Sequence, residues 1–239
     1  VNEVFATHGK IYEATASQMF GVPVERIAKG NPEYSLRQKG KVATLALGYQ
    51  GGTSALIAMG ALQMGLTEEE LPDIVQRWRQ ANPRIKGLWY AIENAALAVM
   101  ETAQPQGING LIFALEGDLV YGQSFLTVRL PSGRKLFYPK PFLKENRFEK
   151  MAVHYYTVGQ QTRKLVENIV QAIARDCLAV TLERIAAKGL QVVFHVHDEV
   201  IIDAPMETTV EEICGLMAEP IPWAPGLVLK GAGFESMYY

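Results

Sequence analysis

A chain of 239 residues, 49% of them hydrophobic, is long enough to bury a sizeable core as one large domain or two smaller ones. Its 23 basic against 25 acidic side chains leave a net charge of −2, which excludes a global positive field directed at nucleic acid or membrane and makes any polyanion site a local one. No apolar run approaches the ~20 residues needed to cross a bilayer, and the N-terminus has no targeting pattern. Cys177 and Cys214 lie far apart and fit reduced thiols in a cytoplasmic compartment. Val1 in place of methionine suggests a chain cut from something longer.

Residues 3–20 place Val4, Phe5, Ile11, Tyr12, Ala16, Met19 and Phe20 at mostly helical spacing before Gly21-Val22-Pro23 interrupts them, which predicts one or two helices. Gly30-Asn31-Pro32 is a turn, with Ser35 as N-cap of the helix that follows. Over 36–49, Arg37, Lys41, Leu45 and Tyr49 recur every four positions. At about 3.6 residues per turn they share one slowly drifting helical face. Gly51-Gly52 ends that helix. A short apolar helix over 53–64, a capping box at Thr67-Glu68-Glu69-Glu70 opening a helix through Trp78, and a helix from Pro83 to about Thr102 complete a helical half.

From Gln104-Pro105-Gln106-Gly107 onward the pattern changes to strands over 110–138, with Pro131-Ser132-Gly133 as a hairpin turn. A long periodic helix is predicted over 160–188, closed by Gly189. Residues 192–203, V-V-F-H-V-H-D-E-V-I-I-D, then read as two short strands meeting at a charged turn. A helix over 207–217, breaks at Pro220, Pro222 and Pro225, and a strand-like tail follow. There is no internal repeat and no low-complexity segment.

Two stretches could carry chemistry. At a hairpin tip, strands as apolar as those around His197 can be buried while Asp198 and Glu199 stay solvated and ionised. Such a pair suits Mg²⁺, which prefers oxygen ligands and takes few protein carboxylates; the alternative is an acidic solvated turn. On the 36–49 helix, two cations one turn apart followed by Leu45 and Tyr49 would offer charge to phosphates and then an apolar surface to a ring. The alternative there is a surface helix with basic first turns, to which Lys39 adds a further possible phosphate contact.

Taken together these stretches resemble a known family. R-x-x-x-K-x-x-x-L-x-x-x-Y followed by Gln50-Gly51 is similar to the fingers helix, motif B, of family A DNA polymerases, and His197-Asp198-Glu199 is similar to their palm motif C, in matching order and separation. Asn168, Gln171 and Ala172 to Asp176 resemble the palm helix before motif C, and Leu130 to Arg134 the preceding hairpin. A-S-Q-M-F-G-V-P, ending at Pro23, resembles the helix before the fingers, and Trp223 to Leu227 the family's C-terminal tail, so nearly the whole chain is covered. The likeness is closest to phage-type members.

The resemblance implies an α+β fold: residues 1–30 lead from palm into fingers, 31–103 form a helical fingers subdomain, and 104–239 form a palm with an antiparallel sheet, flanking helices and the catalytic hairpin 192–203. It implies template-directed DNA synthesis in phage-type replication, by nucleotidyl transfer from dNTP to a primer 3′-OH with two Mg²⁺ ions. Asp198 and Glu199 become the metal site, and His197 contacts the primer terminus. Arg37 and Lys41 bind the triphosphate, Lys41 acting on the leaving group; Leu45 and Tyr49 pack on sugar and base; Gln171 and Arg175 approach the minor groove. In-line phosphoryl transfer needs such cations and metals about 3.5–4 Å apart. The expected setting is the cytoplasm, that of the host if phage-encoded, with no membrane partner.

Two departures stand out. The family usually has an aromatic residue where Leu45 stands, although leucine occurs in some phage-type members. Its motif A aspartate, in a D-x-S-x-x-E segment, has no counterpart here: Asp118 lies in a Gly-rich hairpin region and Asp203 at the wrong end of its strand. The palm is thus expected to be incomplete at its N-terminal side, with thumb and motif A coming from an N-terminal polymerase portion. Alone, the chain should be weakly active or inactive, with an exposed apolar edge that favours a partner or self-association. The alternative is a non-catalytic module gripping primer-template or nucleotide through Arg37, Lys41 and Gln171. An unrelated Mg²⁺ hydrolase would need a further acid cluster.

Overall fold

The computed structural model describes residues 2–118, 123–146, 149–157, 160–162 and 164–238. It is an α+β fold in two compact units, the first formed by residues 1–101 with 143–153 and the second by 102–142 with 154–239. Among the described residues no helix is long and apolar enough to cross a membrane.

The first unit is built on helices. α1 (Asn2–Thr7) and α2 (Ile11–Phe20) resolve the expected one or two helices as two. α3 (Leu36–Leu47) begins without the expected Ser35 cap, because Pro32–Ser35 forms a 3-10 turn running straight into it and the Ser35 hydroxyl donates back to the Pro32 carbonyl (3.4 Å). The helix ends at Leu47, so Tyr49 stands in the turn beyond it. α4 is confined to Thr53–Ala58, shorter than its apolar run, and turns occupy 59–65. The capping segment forms: the Glu70 carboxylate accepts from the Thr67 amide (2.7 Å) and hydroxyl (3.0 Å), and this pair of bonds holds its carboxyl below the usual range. α5 (Leu71–Ala81) follows, burying Leu71, Ile74, Val75 and Trp78 at i, i+3, i+4 and i+7. α6 (Pro83–Thr102) starts on proline as predicted and brings Trp89 into parallel stacking with Trp78, ring centres 5.8 Å apart.

The second unit opens with a meander of antiparallel strands in sequence order, β1 (Gln106–Ile108), β2 (Leu111–Asp118), β3 (Gln123–Arg129) and β4 (Lys135–Pro139). The register pairs Phe113 with Val128 and Leu126 with Tyr138, so alternation collects these side chains on one buried face. On the other face Glu116 pairs with Lys135 (2.6 Å), which is the main reason its carboxyl is held low. Asp118 ends β2, and its side chain lies outside the described residues. Along the chain after the meander, β5 (Phe142–Glu145), β6 (Met151–Thr157) and β7 (Gln160–Thr162) pair in that order, residues 143–153 being counted with the first unit. Strand β7 corrects the helix predicted from residue 160: α7 spans Leu165–Ala187. The polar Gln160-Gln161-Thr162 run is claimed instead by antiparallel pairing with Tyr155 to Thr157.

β8 (Gln191–Val196) and β9 (Glu199–Asp203) form the hairpin expected over 192–203. α8 (Val210–Ala218) starts later than predicted, because Thr209 caps it by accepting from the Glu212 amide (3.2 Å). Arg184 of α7 ties down the end of α8, donating to the carbonyls of Glu219 (3.0 Å) and Pro220 (2.6 Å). The tail over 227–238 contains no strand, contrary to expectation.

Candidate phosphate and carboxylate sites

Helix α3 owes its position to a missing side chain. A β-carbon on Gly40 would fall 2.1 Å from the Tyr12 carbonyl and 2.9 Å from the Ala16 β-carbon, so α2 and α3 meet backbone to backbone as glycine alone permits. Ala16, Ala43 and Leu47 are fully buried in that seam. The Thr44 hydroxyl donates to the Gly40 carbonyl (2.8 Å) and lies 2.9 Å from the Thr15 hydroxyl. This contact sets Arg37 and Lys41 beside α2. Arg37 Nε donates to Glu13 Oε1 at 2.8 Å, its guanidinium lies 5.3 Å from the Tyr12 ring centre, and Lys41 Nζ lies 6.0 Å from the same ring. The sequence pattern brought out the two cations and missed Glu13 and Tyr12. Lys39 points elsewhere, over the Phe20 ring at 5.7 Å.

Leu45, 38% exposed, continues the Arg37/Lys41 face, while Tyr49 is held by a different device. The turn after α3 is clamped from two helices: the buried Trp89 indole donates to the Gly48 carbonyl (3.0 Å) and Arg79 to the Gly51 carbonyl (3.0 Å). Gln50 takes a left-handed φ of 69°, and a β-carbon on Gly51 would lie 1.9 Å from the Ala46 carbonyl. A half-buried Tyr49 thus sits in a turn of fixed shape.

In the second unit the turn of the β8–β9 hairpin is two residues long. Val196 pairs with Glu199, leaving His197 and Asp198 as the loop, with His197 in the left-handed region at φ 51°. His197, Asp198 and Glu199 are all exposed, as expected of solvated acids at a tip. The strands, however, are not buried as predicted: Val193, Phe194 and Val196 are 54%, 37% and 41% exposed, and a bulge at Val193 breaks the register. The physical reason is that β8 and β9 form a sheet of two strands only, with no further strand on either edge among the described residues. The carboxylate oxygens of Asp198 and Glu199 suit a hard divalent cation. Among the described residues no group of three or more His, Cys, Asp or Glu side chains is arranged to hold a metal ion.

Gln171 and Arg175 lie one turn apart on the exposed face of α7. The opposite face is anchored by Asp176, which accepts from Arg134 Nε (2.6 Å) and from the Ser132 hydroxyl (2.5 Å) at the β3–β4 turn, while Arg134 also donates to the Ala172 carbonyl (3.0 Å). That anchor was hidden in the sequence, although an acid among the apolar residues of a helix is its signal. Cys177 beside it has its thiol raised by burial first and by Asp176 second, consistent with an inert core side chain. The predicted residues therefore fall into separate groups: Arg37, Lys41, Leu45 and Tyr49 in the first unit, and the hairpin tip and the Gln171/Arg175 face in the second.

No protein-family model matches the chain. The chain is similar to a protein of Bacillus phage SP02 called DNA polymerase, 51% identical over 249 residues. The match takes in 99% of this chain and 37% of that protein, so the chain spans a little over a third of its relative's length.

Proposed function

We propose that the chain is the fingers-and-palm portion of a family A, phage-type DNA polymerase that extends a DNA primer along its template with dNTPs. The observation that carries the reading is the 51% identity to a phage DNA polymerase across 99% of the chain, which takes in both the Arg37/Lys41 helix and the acid-tipped hairpin. Arg37 and Lys41 bind and orient the triphosphate, Lys41 offsetting the charge that grows on the leaving phosphates. Leu45 and the clamped Tyr49 flank the sugar and base and exclude badly shaped pairs. His197 contacts the primer end, and Gln171 and Arg175 follow the minor groove from the exposed face of α7.

Asp198 and Glu199 would hold Mg²⁺, which supplies Lewis-acid charge stabilisation when bound. Two neighbouring carboxylates provide only part of a two-ion site, so a further acid comes from outside the described residues. The same contribution covers the exposed β8–β9 strands. Single-nucleotide incorporation tests the reading: Asp198→Ala should abolish turnover in any active assembly and leave primer-template binding nearly intact. Substantial incorporation by that variant would remove Asp198 from the chemistry. DNA binding without incorporation, even after a polymerase portion bearing the further acid is added, would favour the non-catalytic module.

A further inference from the structure

We propose that Glu13 is a positioning residue for the phosphate site, holding the Arg37 guanidinium by one edge so that its remaining donors face the triphosphate already ordered. The inference rests on the reading of Arg37 and Lys41 as phosphate ligands. Its basis is the way Arg37 is held. Among the described residues its guanidinium has a single hydrogen-bond partner, Glu13, and gives it only Nε; Nη1 and Nη2 stay available to a ligand. The Tyr12 ring backs the same group. Edge and face contacts together fix the plane of a side chain that otherwise loses much rotamer freedom when it binds an anion.

Glu13 is poorly explained as a clip between helices. The α2–α3 seam is already set by the Gly40 close approach and the Thr15–Thr44 contact. A carboxylate on a side chain only 12% exposed, opposite an arginine side chain 35% exposed, adds little net stability, because desolvation offsets most of the attraction. An acid beside two phosphate-binding cations also repels the ligand. An acid at this position is favourable if the order it imposes on Arg37 outweighs that repulsion, and the two effects can be separated. Glu13→Gln keeps an acceptor for Nε and removes the charge, whereas Glu13→Ala removes both.

The experiment is calorimetric titration of the full chain with inorganic tripolyphosphate, with melting curves for each variant. Arg37→Ala and Lys41→Ala should both weaken binding. Glu13→Gln should bind at least as tightly as the unsubstituted chain, and Glu13→Ala about two- to tenfold more weakly than Glu13→Gln, the cost of ordering one long side chain on binding. That difference should vanish when Arg37 is already alanine. If Glu13→Ala does not fold, Glu13→Asp, which withdraws the carboxylate by one methylene, should show the same weakening. Equal affinities for the Glu13 variants, with Arg37→Ala still weak, would overturn the positioning role and leave the phosphate site standing. Unchanged affinity in Arg37→Ala and Lys41→Ala would overturn both.

Discussion

Replacing Gly40 with alanine should destabilise the helical unit by forcing apart the two helices that meet there. The added β-carbon would sit 2.1 Å from the Tyr12 carbonyl, where ordinary contact begins at 3.4 Å, so α2 and α3 would have to part by roughly 1.3 Å. Separation on that scale breaks the 2.9 Å Thr15–Thr44 contact and loosens the burial of Ala16 and Ala43. Overpacking of about 1–3 kcal/mol and a lost hydrogen bond of about 1 kcal/mol oppose a helix-propensity gain of about 1 kcal/mol, leaving a net destabilisation of about 1–3 kcal/mol. Gly87 in α6 provides the control, since its added β-carbon would meet nothing within 4 Å and the same substitution should stabilise by about 0.5–1 kcal/mol. Urea unfolding followed by the stacked, buried Trp78 and Trp89 reads the first unit. A Gly40→Ala chain as stable as Gly87→Ala would refute the close approach and, with it, the account of how Arg37 and Lys41 are positioned.

On the proposed function, Lys41→Ala in an active assembly should raise KM for all four dNTPs alike and lower kcat as well, because leaving-group charge grows during transfer; steady-state incorporation of each base checks this, and an effect confined to one base would mean that the residue reads bases. His197→Gly should relieve a left-handed turn position and stabilise the hairpin by roughly 0.5–1 kcal/mol; hydrogen exchange of the β8 and β9 amides reads this effect, and faster exchange would show that the turn is unstrained. Glu116 has its carboxyl lowered chiefly by the Lys135 hydrogen bond, so the stabilisation it contributes is present above its unfolded pKa, near 4.5, and is lost as pH falls through the lower folded value. Glu116→Gln should therefore flatten the acid limb of the stability curve below about pH 4.5, and an unchanged limb would remove this pair from the account.

The elements legible in the sequence are those whose signals are local. Pro83 at the first turn and a long apolar period define α6, the Thr67–Glu70 segment forms its hydrogen bonds, and Pro131-Ser132-Gly133 turns β3 into β4. The hairpin 192–203 was readable because its strands are β-branched and its turn is polar. What failed depended on distant partners. Gln160-Gln161-Thr162 suits a helix as well as a strand until β6 claims it. Ser35 has the right chemistry for a cap, but Pro32 three residues earlier starts the turn too soon. At the site, the four-residue spacing revealed Arg37 and Lys41, while Glu13 lies 24 residues away and shows only as an acid amid a helical apolar pattern. Such an acid is legible once it is asked which cation it meets, and that question needs the fold.

The hairpin is where the failed expectation carries most meaning. Two strands alone are marginal in water, and these expose Val193, Phe194 and Val196 directly behind the acids at the tip. An isolated acidic turn would be served equally well by polar strands, and on the proposed function the apolar character of β8 and β9 is accounted for by a cover supplied with the rest of the polymerase. A two-ion site built on Asp198 and Glu199 calls independently for another carboxylate, because no metal-holding group of three such side chains exists among the described residues. One added strand meets both demands: its backbone pairs with an open edge, its inward side chains shield the valines, and an acid along it can reach the tip. On the proposed function, then, burial of the hairpin and completion of the metal site are a single event. An assembly that restores activity should protect the β8–β9 amides to the same degree.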